Sequence, residues 1–357
     1  MPPAVPHIGA LAAGPRNAIS DVAGVTVGHH TLARGDVQTG VTVVRPHPGD
    51  PYRDKVPAAA VVLNGFGKSV GLVQVEELGV LETPIALTNT FSVPAMAMAQ
   101  IRQCLGANPE CGRGLPTVNP LVFECNDGFL NDIQRMAVGE AHYLQAWAAA
   151  SADFEQGAVG AGRGMSCFEL KGGIGTASRG VPAGYTLGAL VLANFGKLPQ
   201  LTIAGNAVGL RLPPFSSPLR GEAGRGAPEQ GSIILLLATD APLDARQLRR
   251  LALRAGAGLA RTGSVFGHGS GDIALAFSTA YTVPHLVERP MPAVAMLHDG
   301  LLDPLFQAAA DACEQAILNA LWHARPVAGR DGHSRECLTE LLAGWRSLAQ
   351  PPAQDTP

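Results

Sequence analysis

Residues 231–243 read GSIILLLATDAPL and contain the most hydrophobic strand-like segment of the chain. Ile233–Ala238 (IILLLA) is apolar at every position, whereas a strand with one solvated face alternates apolar and polar residues. We therefore expect a central strand that is covered on both faces. Residues 212–230 (LPPFSSPLRGEAGRGAPEQ) are rich in Pro, Gly, Ser and charge. They lack periodicity, which predicts an exposed, mobile loop leading into the strand.

Other apolar segments lie on both sides of this strand, and helix-forming segments alternate with them. Strands are predicted at Val56–Asn64, Pro84–Asn89, Pro116–Phe123, Tyr185–Asn194, Leu201–Ile203 and Asp272–Phe277. Helices are predicted at Val93–Cys104, Gln134–Ala149, Leu243–Leu259, Pro304–Ala324 and roughly Arg335–Leu348. Because the strongest strands are apolar throughout, we expect one α/β domain, a layered sandwich with sheets inside and helices outside.

The composition excludes several classes of function. The 357 residues carry a net charge of −3, which argues against a general nucleic-acid or anionic-membrane binder. No apolar run is long enough to span a bilayer, so no membrane partner is expected. Six scattered cysteines without CxxC spacing make structural disulfides and a Cys-rich zinc site unexpected.

The chain termini complete this picture. Residues 1–17 lack the basic and continuous apolar regions of a signal peptide, so the sequence predicts a cytoplasmic protein, with the periplasm left open. Residues 349–357 have the composition of a disordered tail.

The junction between the loop and the central strand carries the sharpest chemical signal. If the Gly231–Ser232 bond were cut, Ser232 would present a hydroxyl and a free α-amine at the end of a core strand. An α-amine has a pKa of about 7.7–8.0 and can accept the hydroxyl proton, as in N-terminal nucleophiles. Glycine suits such a cleavage because it permits strained backbone geometry. A turn residue before an ordinary strand remains the alternative for the dipeptide alone.

A series of long motifs occurs in order along nearly the whole chain. They are DVAGVTVGHHTL (21–32), TGVTVVRP (39–46), NGFGKSVGLVQVEELGVLETPIALTNT (64–90), ECNDGFLND (124–132), GAVGAGRGMSCFELKGGIGTASR (157–179), GSIILLLATDAPL (231–243) and HGSGDIALAFSTA (268–280). The sequence thereby resembles the L-aminopeptidase/D-Ala-esterase/amidase and β-aminopeptidase family, which is related to the nylon-oligomer hydrolases. The resemblance implies a four-layer αββα sandwich. It also implies a precursor that cuts itself between Gly231 and Ser232, into subunits 1–231 and 232–357, with 212–231 as the processing loop.

The resemblance further assigns roles to catalytic positions. Ser232 matches the N-terminal nucleophile, and Ser270 and Asp272 match the polar pair that orients the nucleophile and its amine. A carboxylate near the new ammonium would stabilise it. Asn194 matches the asparagine that stabilises the oxyanion, and Asn206 is the alternative if the register is shifted.

Three further residues are candidates for substrate binding. Glu124 matches the acidic residue near the substrate's amino group, for which a carboxylate is a natural anchor. Asn126 stands where some members carry Tyr, and this puts a Tyr-dependent oxyanion contact in doubt. Lys171, in KGGIGT, is a candidate near the site, with a solvated surface lysine as the alternative.

These residues favour a self-processing serine hydrolase that acts on short peptides, amides or esters and needs no metal or organic cofactor. A homo-oligomer of two-subunit units is implied by the resemblance alone. Two alternatives remain: a self-cleaving acyltransferase of related fold and a non-enzymatic α/β ligand-binding protein. The first would exchange acyl groups without net hydrolysis, and the second would have an inert Ser232.

Overall fold

Two β-sheets face each other at the centre of the computed structural model, which describes residues 4–212 and 230–342. The strands are β1 Thr26–Arg34, β2 Val37–Arg45, β3 Asp54–Gly65, β4 Val80–Leu81, β5 Ile85–Asn89, β6 Leu121–Cys125, β7 Ser166–Cys167, β8 Leu170–Lys171, β9 Gly173–Gly180, β10 Thr186–Asn194, β11 Gln230–Thr239, β12 Gly269–Ser278, β13 Val283–Pro284, β14 Val327–Ala328 and β15 Ser334–Arg335. The helices are α1 Leu72–Leu78, α2 Val93–Ala107, α3 Glu140–Ala148, α4 Ala245–Arg261, α5 Asp303–Trp322 and α6 Leu338–Leu342.

The smaller sheet has the order β1-β2-β5-β6, and the larger sheet has the order β13-β3-β12-β11-β10-β9, with β4 paired to β3. In the larger sheet β11 is central: it pairs antiparallel with β10 and parallel with β12. β7 with β8 and β14 with β15 form two small hairpin-like pairs. The strand predicted at 233–238 is therefore confirmed as the middle of the sheet.

Alternating side chains of β11 enter two different hydrophobic cores. Ile234 and Leu236 face the smaller sheet, whereas Ile233, Leu235 and Leu237 pack on the side of α4 and α5. A third core lies between the smaller sheet and helices α2 and α3. These layers confirm the αββα sandwich, and they explain why β11 is apolar at every position: both of its faces are covered.

Two predicted elements were wrong in kind or length. Leu201–Ile203 is not a strand, because Ala204 and Gly205 adopt positive φ and turn the chain back so that Ile203 bridges Asn206. The helix predicted to start at Gln134 begins only at Glu140. Left-handed Met136 ends a short 3-10 turn before it.

Other boundaries shift by a few residues. β6 starts at Leu121, after two prolines that cannot donate to a ladder. Arg335 pairs in β15, so α6 starts at Leu338, and residues 343–348 of that predicted helix lie outside the described residues. Of the predicted loop 212–231, residues 213–229 lie outside them too. Leu212 and Gly231 are buried rather than exposed. The tail 349–357 is likewise not described.

Candidate active site

The candidate site lies where β10, β11 and β12 end together on the larger sheet. Ser232 stands in register between Asn194 on β10 and Gly271 on β12. Its side chain is buried, and its Oγ accepts a hydrogen bond of 3.1 Å from the Gly271 N–H. The strand begins at Gln230, two residues before Ser232, so the Gly231–Ser232 bond lies inside the ladder. Gly231 and Ser232 both pair with β12, and Ser232 also pairs with Asn194 on β10.

A hydroxyl and a carboxylate accompany this bond on β12. Ser270 is the register partner of Gly231, and its Oγ donates to Asp272 Oδ1 over 2.5 Å. Both side chains are almost fully buried, and the period of two along a strand puts them on one face. A short bond between a hydroxyl and a carboxylate is charge-assisted, and it fixes the orientation of both groups.

The Asn194 side chain is fixed at both of its ends. Its Oδ1 accepts from the Ser166 N–H over 2.8 Å, and its Nδ2 donates to the Asn126 carbonyl over 2.9 Å. An amide NH2 carries two N–H bonds, so a second donor remains for a ligand. Asn206, the alternative candidate, lies instead in an exposed turn, where its Nδ2 bonds to nearby carbonyls.

The Glu124 carboxylate reaches the site from the other sheet. Its Oε1 accepts from the Lys68 N–H over 2.8 Å, and its Oε2 accepts a short bond from the Thr90 hydroxyl. A Cβ at Gly67 would lie 3.8 Å from both Glu124 Oε1 and Gly271 Cα, so the carboxylate and the strand that holds Ser232 Oγ border the same residue. Glu124 is 3% exposed, so it is not a solvated glutamate at the end of a strand.

The other two candidates for substrate binding, Asn126 and Lys171, differ from Glu124 in what their side chains contact. The exposed Asn126 side chain closes a turn onto the Gly128 N–H, and only its main-chain carbonyl reaches Asn194. Lys171 is buried, which rules out the solvated surface lysine. Its ammonium donates to the carbonyls of Gly162, Met165 and Gly172 at 2.6–2.9 Å.

Lys171 braces the glycine-rich segment from which the Ser166 N–H reaches Asn194. Burial lowers the pKa of the Lys171 ammonium to about 7. All three of its N–H bonds are directed at main-chain oxygens, so the side chain shapes the backbone around the site.

Sequence reasoning missed several partners of these residues. Thr90 and the Lys68 N–H hold Glu124, and the Cys125 thiol donates to the Ser232 carbonyl over 3.4 Å. Burial raises the pKa of Cys125, in keeping with an inert structural thiol rather than a nucleophile. Thr90 and Lys68 lie in the motif 64–90, which was the available signal.

Residues 4–212 and 230–342 show neither a metal-binding cluster nor a membrane-spanning helix. No group of three or more His, Cys, Asp or Glu side chains there is arranged to hold a metal ion. No helix in those ranges is both long and apolar enough to cross a membrane.

Comparison with known proteins gives this geometry a context. The chain is 40% identical to the β-peptidyl aminopeptidase BapA of Sphingosinicella microcystinivorans, over 94% of this chain and 90% of that one. Its fold matches a β-aminopeptidase of Burkholderia sp. with a TM-score of 0.87 at 42% identity, covering 96% of this chain and 98% of the other.

It also matches the L-aminopeptidase D-Ala-esterase/amidase of Ochrobactrum anthropi, a prototype of the serine aminopeptidases and a variant of the N-terminal nucleophile hydrolase fold. There the TM-score is 0.84 at 35% identity, over 95% of each chain.

The αββα layers and these relatives define a serine-type aminopeptidase and amidase with the N-terminal nucleophile hydrolase fold. The family model of peptidase family S58 matches residues 17–335. The chain belongs to that family. It is a hydrolase, as the resemblance implied, and the ligand-binding alternative without catalysis is set aside.

Proposed function

We propose that this aminopeptidase uses Ser232 as an N-terminal nucleophile, created when the chain cuts itself between Gly231 and Ser232. One observation carries the proposal: the buried Ser232 lies in register with Asn194 on one side and, on the other, with Gly271, the residue between Ser270 and Asp272. Nucleophile, oxyanion donor and orienting acid then come from three neighbouring strands, which supply the geometry that acyl transfer requires.

Gly231 suits the self-cleavage for a steric reason. A Cβ at this position would overlap the Asn194 carbonyl oxygen and lie 2.9 Å from Phe195 Cα. In the proposed step Ser232 Oγ adds to the Gly231 carbonyl carbon and the C–N bond breaks, giving an ester and the free α-amine. Water then hydrolyses the ester, leaving a carboxylate on Gly231 and the hydroxyl on Ser232.

In catalysis the α-amine of Ser232 takes the proton of its own hydroxyl, since an amine with a pKa of about 7.7–8.0 is partly neutral near pH 8. Ser270 and Asp272 keep the amine oriented. The second N–H of Asn194, together with a backbone N–H, receives the oxyanion. Ser232 Oγ adds to the scissile carbonyl carbon, the bond to the leaving amine or alcohol breaks, and the α-ammonium returns its proton to the leaving group. Water then hydrolyses the acyl ester, which releases the acid and regenerates the Ser232 hydroxyl.

Substrate binding is proposed to depend on Glu124 directly and on Asn126 and Lys171 indirectly. The Glu124 carboxylate binds the ammonium of the substrate, and Lys68 N–H and Thr90 fix its direction. Asn126 and Lys171 are positioning residues: one supplies the carbonyl that holds Asn194, and the other braces the backbone that leads to Ser166.

The substrates proposed are short peptides, amides and esters with a free amine near the scissile carbonyl. The names of the similar proteins cover β-peptidyl and L-α-aminoacyl substrates, and this range supports both classes. A panel of L-Ala, D-Ala and β-Ala p-nitroanilides, with and without a free amine acceptor, measures the preference. Product bearing the acceptor without net hydrolysis would indicate an acyltransferase.

Assembly and compartment are also proposals. A homo-oligomer of two-subunit units is supported by the family membership, and light scattering of the purified protein tests it. A cytoplasmic location is supported by six buried cysteines that carry free thiols, which suits a reducing compartment. Cell fractionation tests the location.

The central experiment is intact mass spectrometry of the purified protein beside a denaturing gel. We expect two fragments whose masses match 1–231 and 232–357, and a single inactive chain for Ser232→Ala. An active wild-type protein that stays one chain, or activity in Ser232→Ala, would overturn the proposal.

A further inference from the structure

The segment that follows β3 forms the rim between the nucleophile and the amine anchor. The Phe66 N–H donates to the Ser270 carbonyl over 3.3 Å. The Phe66–Gly67 peptide lies directly on Gly271, because a Cβ at Gly271 would be 2.8 Å from the Phe66 carbonyl oxygen. The Lys68 N–H then bonds Glu124. This rim, residues 65–68, therefore touches both ends of the candidate site.

The side chains of the rim include an exposed ammonium, that of Lys68, next to the aromatic ring of Phe66. The Lys68 ammonium lies 4.3 Å from the centre of the Phe66 ring, and the His268 ring lies 6.2 Å from the same ring. Phe66 is 54% exposed, and Lys68 and His268 are exposed as well. Within residues 4–212 and 230–342, no carboxylate forms an ion pair with Lys68. Among these residues the Lys68 ammonium is therefore an exposed cation that lies over the Phe66 ring beside the candidate site.

The charges at this rim match those of a zwitterion. Glu124 offers a negative group for an ammonium. Lys68, whose N–H donates to Glu124, offers a positive group. The Lys68 main chain bonds Glu124, so the Lys68 side chain starts beside this anchor, and an extended dipeptide carries its two terminal charges about 7 Å apart. An amide of an uncharged amine meets Glu124 alone.

We propose that Lys68, supported by Phe66 and with His268 beside it, recognises a carboxylate on the substrate and so favours peptides with a free carboxylate over neutral amides. The inference rests on the proposed function, because it takes Glu124 as the amine anchor and Ser232 as the nucleophile. It adds a determinant of specificity and leaves the chemical step unchanged.

The carboxylate can come from two parts of a substrate. It can be the C-terminal carboxylate of the leaving residue, or the side chain of an acidic released residue. One pair of substrates tests each source: Ala-Ala against Ala-Ala amide, and Asp-p-nitroanilide against Asn-p-nitroanilide. A preference for the charged member in either pair supports the proposal and identifies the source.

The test compares the ratio of kcat/KM for the charged and neutral members in wild type, Lys68→Met and Lys68→Arg. Met keeps the length and the packing on Phe66 without the charge, and Arg keeps the charge. We expect the ratio to fall about fivefold in Lys68→Met, the size of a partly exposed ion pair, and to persist in Lys68→Arg. The ratio in wild type should also shrink at 0.5 M salt, where the Debye length is only a few ångströms.

The outcomes separate this inference from the proposed function. A wild-type protein that cleaves both members of each pair equally, or a ratio unchanged in Lys68→Met, overturns the carboxylate site while Ser232 catalysis stands. A protein that cleaves neither amide nor peptide overturns the proposed function first. The ratio needs no assumption that the variants keep full activity.

Discussion

Asn194 on β10 and Ser232 on β11 are register partners, and the pairing of the two strands fixes the position of each residue relative to the other. The Asn194 amide is held at one end by the Ser166 N–H and at the other by the Asn126 carbonyl. A donor that is fixed before the substrate arrives loses no orientation free energy when the oxyanion forms. The pairing of two strands thereby sets the distance between the proposed nucleophile, Ser232, and the proposed oxyanion donor, Asn194.

Asn194→Ala should lower kcat by about 10²–10³-fold, because the lost hydrogen bond acts on the transition state. KM should change much less, since the substrate carbonyl gains little from that donor in the ground state. Steady-state kinetics per processed site, with the processed fraction taken from intact mass, checks the expectation.

Asn206→Ala is the matched control, because Asn206 lies in an exposed turn and its side-chain amide donates to the neighbouring carbonyls of Ile203 and Ala204. Its kcat should equal that of wild type. An Asn194→Ala enzyme whose kcat stays within threefold of wild type would remove Asn194 from the oxyanion site.

Glu124→Gln should lower kcat/KM for aminoacyl p-nitroanilides by about 10–150-fold, mainly through KM. The variant loses a charged hydrogen bond to the substrate ammonium, worth about 1.5–3 kcal/mol, while the shape of the side chain is kept. Initial rates over a range of substrate concentrations separate KM from kcat.

The control for this change is Glu76→Gln, a carboxylate on the exposed part of α1, which should leave both constants unaltered. An N-acetylated substrate, which has no ammonium, should be a poor substrate for both wild type and Glu124→Gln. Equal kcat/KM values for Glu124→Gln and wild type would show that the amine is bound elsewhere.

The fold could be predicted from the sequence where the burial of an element determines its pattern of apolar residues. Ile233–Ala238 is apolar throughout because both faces of β11 are covered, and that pattern is visible without a structure. Leu201–Ile203 is also largely apolar, but the left-handed turn at Ala204 and Gly205 reverses the chain before a strand can form. The hydrophobicity of a short segment does not predict such a turn.

The site was predictable only in part for a related reason. Ser232, Ser270 and Asp272 belong to adjacent parallel strands, and their motifs mark them. Glu124 comes from the other sheet; its partner Thr90 follows the neighbouring strand β5, whereas its contact with the Lys68 N–H depends on how the two sheets pack. Contacts that depend on the packing of distant segments leave no periodicity in the sequence. The burial of Lys171 was invisible for the same reason.

Gly175→Ala should lower the free energy of unfolding by about 1–3 kcal/mol through overpacking. Gly175 lies on β9 against α5, where a Cβ would overlap the Ala316 carbonyl oxygen and lie 2.6 Å from the Ala320 amide nitrogen. Gly106→Ala is the opposite case: the residue is in α2, and apart from the helix's own nearby backbone no atom of residues 4–212 and 230–342 lies within 4 Å of a Cβ there. That change should stabilise the helix by about 0.5–1 kcal/mol. Urea titrations of both variants check the signs, and a neutral Gly175→Ala would contradict the tight contact.

The carboxyl of Asp127 is buried one residue after the Asn126 carbonyl that holds Asn194. Its Oδ1 accepts from Asn131 Nδ2 over 3.0 Å, and among the described residues its Oδ2 has no hydrogen-bond partner. Burial raises the pKa of this group from 3.8 to about 7, while the hydrogen bond with Asn131 acts in the opposite direction. The folded protein therefore keeps a proton that the unfolded chain has already lost between pH 3.8 and 7.

Asp127→Asn should remove a pH dependence of stability. Because the folded state of the wild type binds more protons than the unfolded state in this window, its free energy of unfolding should fall by up to about 1.4 kcal/mol per pH unit as the pH rises from 4 to 7 and level off above 7. The amide does not titrate, so the variant should gain stability relative to wild type along the same pH range. Asp153→Asn, which removes an exposed carboxylate paired with Arg16, should show no such trend. Unfolding measured at pH 4.5, 5.5, 6.5 and 7.5 decides the matter: parallel curves for Asp127→Asn and wild type would mean that Asp127 is ionised in the folded protein throughout.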